Sequence, residues 1–271
     1  IFQGLSDTGT AIVPFGDDYF DTLLNNAQQF TQNILTFGER DVSLADAGVD
    51  MQQAKEIGLT DEDTVLLMGD VFADDVEVGN TSTFSLNFNF EIDEIESQNV
   101  TLNFAGEHNI SNALAAAACA QALGLSIDDI AKGLDAAKPA KGRLNFIEFG
   151  KHTLIDDTYN ANPSAVLAAT QVLASQGAPS MLVLGDIGEL GDAAQEEHRK
   201  LGEAIAASGV TVLYTVGELT PVTVAQAQAS GMQAQAYPDK ASLLAAIKDK
   251  LASSDDAWHI LYKGSRYMMM E

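Results

Sequence analysis

The sequence has few cysteines and few basic residues. Its 271 residues include one cysteine, and 14 Lys and Arg stand against 39 Asp and Glu, for a net charge of −25. The lone Cys119 excludes an internal disulfide, and we expect this small thiol to be buried within its alanine-rich run. The acidic excess argues against nucleic-acid binding, because such a surface needs clustered Lys and Arg to displace counterions.

Long apolar runs, targeting segments and metal motifs are also missing. No run approaches the roughly 18–20 apolar residues that a membrane-spanning helix needs, and the first residues lack a signal-peptide pattern. No G-x-x-x-x-G-K-[ST] motif occurs, and the four histidines are too scattered to suggest a metal site. Among them, His198 lies in a charged run and is expected on a helix surface. These absences predict a cytoplasmic protein without membrane insertion.

The charge is unevenly distributed along the chain. Residues 1–140 contain 4 basic and 24 acidic residues, whereas residues 141–271 contain the other 10 and 15. Five of the 14 basic residues fall between positions 132 and 151: Lys132, Lys138, Lys141, Arg143 and Lys151. This cluster suggests either a binding place for a small anion or a solvated, charge-balancing hinge.

Apolar periodicity predicts an α/β protein with two parts that meet near Ala140. In the first part, alternating residues at 83–90 and 100–104 predict an antiparallel pair of strands, and helices are expected at 109–123 and 126–136. After residue 140 strands alternate with helices, which predicts parallel pairing with crossover helices. The predicted strands are 144–149, 152–156, 181–185, 210–216, 233–237 and 257–262, and the predicted helices are 163–175, 193–207, 220–229 and 240–252.

Polar residues cluster at the start of one predicted helix. Asn109 and Asn112 are three residues apart, so they lie on one face of its first turn, where two amides could recognise the edge of a heterocycle. Asn109 could equally cap the helix.

Three further segments combine glycine with charged or amide side chains. In the sequence KGR at 141–143, Arg143 could bind a phosphate through two hydrogen bonds. In IDDTYNANPS at 155–164, a strand ends in two acids of which only one can face a given site, and Asn162 precedes a proline as a helix cap. The loop LGDIGELG at 184–191 lacks the G-x-G-x-x-G spacing of a dinucleotide site. The sequence KGSR at 263–266 follows the last strand.

Taken in order, five segments resemble the Mur ligases. They are GEHNISNALAAAA at 106–118, KGRL at 141–144, IDDTYNANPSA at 155–165, LGDIGELG at 184–191 and KGSR at 263–266. The DDTYNANP string at 156–163 resembles the corresponding segment in the branch of the family that adds D-Ala-D-Ala. The resemblance implies a partial central ATP-binding domain over 1–140 and a Rossmann-like C-terminal domain over 141–271 with a mostly parallel sheet.

The resemblance also implies a reaction. In that branch ATP phosphorylates the carboxylate of UDP-N-acetylmuramoyl tripeptide, and the amine of D-Ala-D-Ala attacks the acyl phosphate. Arg143 would assist catalysis at the transferring phosphate. The nucleotide would contact His108, Asn109, Asn112, Arg143 and Asp157. The dipeptide would contact Tyr159, Asn160, Asn162, Lys263, Ser265 and Arg266.

By the same resemblance, the family's N-terminal domain and the P-loop half of its central domain precede residue 1. We therefore expect Mg²⁺ to be held mainly by residues outside this sequence, and the 271-residue chain to be inactive alone and to self-associate through exposed strand edges. Residues 41–72 are longer and more acidic than is usual in the family. The alternatives are a sister ligase that adds another amino acid and a non-catalytic nucleotide- or dipeptide-binding module.

Overall fold

The computed structural model describes residues 2–6, 8–43, 55, 60, 64–91 and 94–271. They form two compact units. Unit 1 comprises residues 1–103 and 107–137, and unit 2 comprises residues 104–106 and 138–271. The α/β class predicted from the sequence is confirmed. Most of the unusually acidic segment 41–72 lies outside the described residues.

Unit 1 has a five-stranded sheet with strand order β1-β2-β5-β6-β7 and a two-stranded sheet of β3 and β4. Its strands are β1 (Ala11–Pro14), β2 (Ile34–Phe37), β3 (Glu39–Ser43), β4 (Thr64–Met68), β5 (Val71–Glu77), β6 (Ser82–Glu91) and β7 (Glu94–Leu102). Its helices are α1 (Phe20–Ala27), α2 (Glu107–Ala122) and α3 (Ile127–Ala136). β6 and β7 are antiparallel, as their alternation predicts, and bury Phe84 and Val100 in register with each other.

One helix of unit 1 has a side-chain cap, and another carries the cysteine. Ser126 caps α3, because its hydroxyl accepts a hydrogen bond from the backbone N–H of Asp129 at 3.2 Å. Cys119 is exposed, so the prediction of a buried thiol is wrong. At about 100° per residue, position 119 lies on the face of α2 opposite the buried Ile110. Small size alone therefore does not place this side chain in the core.

Unit 2 is one six-stranded sheet with strand order β12-β11-β10-β13-β9-β8. The strands are β8 (Asn145–Phe149), β9 (His152–Asp157), β10 (Ser180–Gly185), β11 (Val212–Val216), β12 (Gln233–Tyr237) and β13 (His259–Lys263). Its helices are α4 (Pro163–Ser175), α5 (Ala194–Ala207), α6 (Thr220–Ala229) and α7 (Lys240–Ala252). All neighbouring strands are parallel except β8 and β9, which are antiparallel.

The antiparallel β8 departs from the predicted parallel pairing. Only Gly150 and Lys151 join β8 to β9, and a connection of two residues cannot cross over to a parallel strand. The remaining strands bury a continuous apolar core on each face. β10 is buried along its whole length, which suits the centre of a parallel sheet. The carboxyl ends of β9, β10, β11, β12 and β13 therefore meet at one edge, which we call the carboxyl edge.

Candidate functional site

The polar residues at the start of α2 form a hydrogen-bonded trio in unit 1. The Asn112 side-chain amide donates to Asn109 Oδ1 at 3.2 Å, and Asn109 Nδ2 lies 3.3 Å from His108 Nε2. His108 and Asn112 are exposed, and Asn109 is half-buried. The predicted placement of Asn109 and Asn112 on one helix face is confirmed. The trio presents amide and imidazole groups that suit the edge of a heterocycle.

A cavity of about 400 Å³ in unit 1 lies on another face of the same helix. From α2 it is lined by Glu107, Ile110, Ser111 and Leu114, and the rest of its lining comes from the ends of β1 and β2, the residues just after them, and β5. None of the trio lines it. The cavity and the trio are therefore separate features of α2.

An ion pair joins two strand ends at the carboxyl edge of unit 2. Lys263 of β13 is the register partner of Asp157 of β9, and its Nζ donates to Asp157 Oδ2 at 2.5 Å. The two residues are 3% and 8% exposed. Lys263 Nζ also donates to the backbone carbonyl of Asn160 at 3.0 Å. Both charges are thus buried and satisfied by protein groups, as a buried pair requires.

Asp157 also fixes the loop that carries Arg143. Its second oxygen, Oδ1, accepts a hydrogen bond from the backbone N–H of Leu144 at 3.2 Å. Leu144 has a φ of 48°, an uncommon conformation for a leucine, so this bond helps to stabilise a strained turn. Both carboxylate oxygens therefore have protein donors, and a ribose hydroxyl at Asp157 would share an oxygen with one of them.

Gly142 brings the same loop close to Tyr159. The backbone N–H of Tyr159 donates to the Gly142 carbonyl at 3.0 Å, and a Cβ on Gly142 would lie 3.0 Å from that nitrogen. Both this close approach and the φ of 72° favour glycine at position 142. The Arg143 guanidinium consequently lies over the Tyr159 ring, 4.5 Å from its centroid. Arg143 is exposed and Tyr159 is 50% exposed, so the stacked pair remains open to a ligand.

The loop after Tyr159 is held at several points. Asn162 caps α4 as predicted, because its Oδ1 accepts from the backbone N–H of Ala165 at 2.8 Å. Asn160 Oδ1 accepts from the backbone N–H of Arg266 at 3.3 Å. The Arg266 guanidinium is exposed and pairs with Glu271 at 2.7 Å. These contacts bring the KGSR segment against residues 159–162, which we call the Asn-rich loop, although the two are about a hundred residues apart in the sequence.

Ser265 is buried between two loops. Its hydroxyl accepts from the backbone N–H of Gly188 at 2.8 Å and lies 3.4 Å from the Ala161 carbonyl, to which it donates. The hydroxyl therefore has one partner in each direction. We call Asp157, Lys263 and Ser265 the buried group, and Arg143, Tyr159, Asn160 and Arg266 the exposed group.

Sequence reasoning assigned no role to Asp186 and misplaced His198. Asp186 is 4% exposed and accepts three backbone N–H bonds, of 2.7 to 3.0 Å, at the start of α6.

His198 is fully buried, so its expected surface position is wrong. Leu201 and Ile205 follow it on the same buried face of α5. That spacing of three and seven residues could have predicted its burial.

Within the described ranges, no three His, Cys, Asp or Glu side chains lie close enough to hold a metal ion. The same residues include no helix long and apolar enough to cross a membrane.

Two family models match the chain in tandem. The Mur ligase middle domain matches residues 1–120, and the glutamate ligase domain of Mur ligases matches residues 142–266. The chain is 39% identical over 176 residues to UDP-N-acetylmuramoyl-tripeptide–D-alanyl-D-alanine ligase of Escherichia coli. The aligned region covers 65% of this chain and 38% of that enzyme.

Solved structures give a consistent result. The fold matches crystal structure I of MurF from Acinetobacter baumannii with a TM-score of 0.81 and 35% identity, covering 100% of this chain and 51% of that one. MurF ligase from Thermotoga maritima in complex with ADP matches with a TM-score of 0.69 and 20% identity, covering 97% and 52%. The chain thus spans about half the length of these relatives.

Proposed function

The chain belongs to the Mur ligase family of ATP-dependent ligases, and we propose that it contributes to the ligase that adds D-Ala-D-Ala to UDP-N-acetylmuramoyl tripeptide in peptidoglycan synthesis. The observation that carries the proposal is the open Arg143–Tyr159 pair, held beside the Asn-rich loop by a buried ion pair. Relatives named for this reaction support the choice of substrates. The proposal assigns the reaction to the cytoplasm, where ATP and UDP-linked precursors are available.

For the nucleotide, we propose that the trio His108, Asn109 and Asn112 faces adenine and that Arg143 contacts the transferring phosphate. Amide and imidazole groups suit the edge of a purine, and an exposed guanidinium suits a phosphate. ATP supplies the phosphoryl group, and Arg143 would offset charge that builds on it. Asp157 would contact the ribose through an oxygen that it shares with a protein donor. Mg²⁺ enters the proposal only as the partner of ATP, since no described carboxylate cluster fits it.

For the dipeptide, we propose contacts with Tyr159, Asn160, Asn162 and Arg266. The exposed Arg266 guanidinium would exchange its Glu271 partner for the dipeptide carboxylate, and Tyr159 offers a half-exposed ring to the methyl groups of the dipeptide. Asn162 would contact it while capping α4. Lys263 and Ser265 serve this proposal by holding the loop, because their polar atoms already have protein partners.

The two sequence-defined parts have separate roles in this proposal. Residues 1–140 form the later part of the ATP-binding domain, and residues 141–271 form the ligase domain that carries Arg143 and the dipeptide contacts. The division is supported by the ranges of the two family models.

A chimeric enzyme tests the function. The half of the Acinetobacter baumannii ligase that matches this chain is replaced by residues 1–271, and formation of the amide is followed by mass spectrometry together with phosphate release. We expect ligation with D-Ala-D-Ala and a rate at least about 100-fold lower in Arg143→Ala. A folded chimera that forms no amide would refute the function. Ligation with meso-diaminopimelate or lysine, but not with the dipeptide, would assign the chain to a sister ligase.

Calorimetry on the 271-residue chain tests whether the protein is instead a non-catalytic nucleotide-binding module. We expect no micromolar ATP affinity for the chain alone, because the proposal makes it one part of a larger nucleotide site. Micromolar binding that persists without any ligation by the chimera would instead identify a nucleotide-binding module.

A further inference from the structure

His198 connects α5 to the loop that follows β10. The imidazole is fully buried, its Nε2 lies 3.3 Å from the backbone nitrogen of Ile187, and its Nδ1 lies 2.8 Å from the Ala194 carbonyl. A backbone N–H can only donate, so Nε2 must accept. Nδ1 then carries the proton that is donated to the Ala194 carbonyl, and these two partners define a single tautomer of the ring.

The loop that His198 holds contacts the loop of the proposed dipeptide site. The residue after Ile187 is Gly188, whose N–H donates to Ser265 Oγ at 2.8 Å. Ser265 in turn donates to the carbonyl of Ala161, which follows Asn160. Consecutive hydrogen bonds therefore lead from a buried histidine on α5, through loop 186–188 and Ser265, to the Asn-rich loop.

We propose that His198 is a positioning residue that orders loop 186–188 and, through Ser265, the loop over residues 159–162. The link to the dipeptide rests on the proposed function, whereas the ordering of the two loops does not. His198 touches no proposed substrate position, so it acts through Ser265. Without its acceptor, the N–H of Ile187 would be buried without a partner, because Ile187 is 1% exposed.

Two substitutions and a control separate positioning from bulk stability. His198→Phe fills a similar volume without an acceptor, whereas His198→Gln places an amide oxygen near the position of Nε2. Leu201→Ala is the control, because Leu201 is 2% exposed on the same helix as His198 and belongs to the same apolar core as Ile187. It makes no side-chain bond to the loop.

Amide hydrogen exchange on the full 271-residue chain gives the main test. In His198→Phe we expect exchange at Ile187 and Gly188 to accelerate at least about tenfold relative to β10, with faster exchange at 159–162 as well. His198→Gln should restore most of this protection. Leu201→Ala should accelerate exchange throughout unit 2 without singling out these loops. A His198→Phe pattern like that of Leu201→Ala would overturn the proposal.

Nitrogen-15 NMR of the His198 imidazole tests the proposal in the unsubstituted chain, even if His198→Phe does not fold. We expect the Nδ1–H tautomer, and a proton on Nε2 would overturn the proposal.

In the chimeric ligase, His198→Phe should raise the KM for D-Ala-D-Ala more than the KM for ATP, and His198→Gln should reverse the change. If the exchange pattern is as expected but no amide forms, the proposed function fails while the ordering role stands.

Discussion

The buried and exposed groups at the carboxyl edge of unit 2 differ in where their polar atoms bind. Lys263 and Ser265 are 3% and 4% exposed and bond to backbone groups of neighbouring loops, whereas Tyr159 is 50% exposed and stacks on an exposed arginine. The difference shows that loops which meet at one edge of a sheet can contain both a scaffold and a ligand-facing surface. Substitutions in the buried group should therefore change stability, and those in the exposed group should change binding.

The largest effect is expected for Lys263→Met. Removing the ammonium leaves the Asp157 carboxylate buried without its partner, which should lower the free energy of unfolding by about 3–5 kcal/mol. Asp157→Asn in the same chain should recover much of this loss, since the amide oxygen can still accept from Leu144. Urea unfolding of the two variants measures both values. A loss below about 1 kcal/mol in Lys263→Met would place Lys263 with the exposed group.

Ser265→Ala should have an intermediate effect. It leaves the N–H of Gly188 without its acceptor, at a cost of about 1–3 kcal/mol. Ser164→Ala is the matched control, because Ser164 is exposed at the start of α4 and should change stability by less than about 0.5 kcal/mol. Equal losses in the two variants, measured by urea unfolding, would show that Ser265 does not stabilise the scaffold.

Tyr159→Leu should change stability only slightly. It removes the stacking with Arg143, which contributes about 0.5–1 kcal/mol at an exposed site. Tyr159→Phe keeps the ring and should retain that contribution. Thermal unfolding measures both variants, and a loss of several kcal/mol in Tyr159→Leu would show that this side chain belongs to the scaffold.

The smallest effect concerns the opposite edge of the same sheet. Burial, with a smaller contribution from Lys151, lowers the pKa of His152, and His152 Nδ1 accepts from the backbone N–H of Trp258 at 3.1 Å. The unfolded chain binds this proton at a higher pH than the folded chain. The free energy of unfolding should therefore fall as the pH drops through about 6.5 and below. His152→Asn should flatten this part of the pH dependence, and an unchanged slope would contradict it.

Sequence periodicity predicts unit 2 well because its strands and helices alternate regularly. The helix at 163–175 and the strand at 233–237 have the predicted bounds, and the Asn162 cap is also confirmed. The strand β8 was predicted at 144–149, but its antiparallel direction was not, because periodicity does not report strand direction.

The contacts within the site depend on strand order, which local patterns do not contain. β13 lies between β10 and β9, so Lys263 meets Asp157 from a strand that is last in the sequence. Motif resemblance could bring these residues into one site. It could not separate Lys263, which is buried, from Arg266, which is exposed three residues later.

The most direct measurement combines stability and ligation for Arg143→Ala in the chimeric ligase. We predict that the free energy of unfolding changes by less than about 1 kcal/mol, while ligation of D-Ala-D-Ala slows at least about 100-fold. The opposite result would contradict it: a chimera that loses several kcal/mol of stability but ligates the dipeptide at an unchanged rate would make Arg143 part of the scaffold.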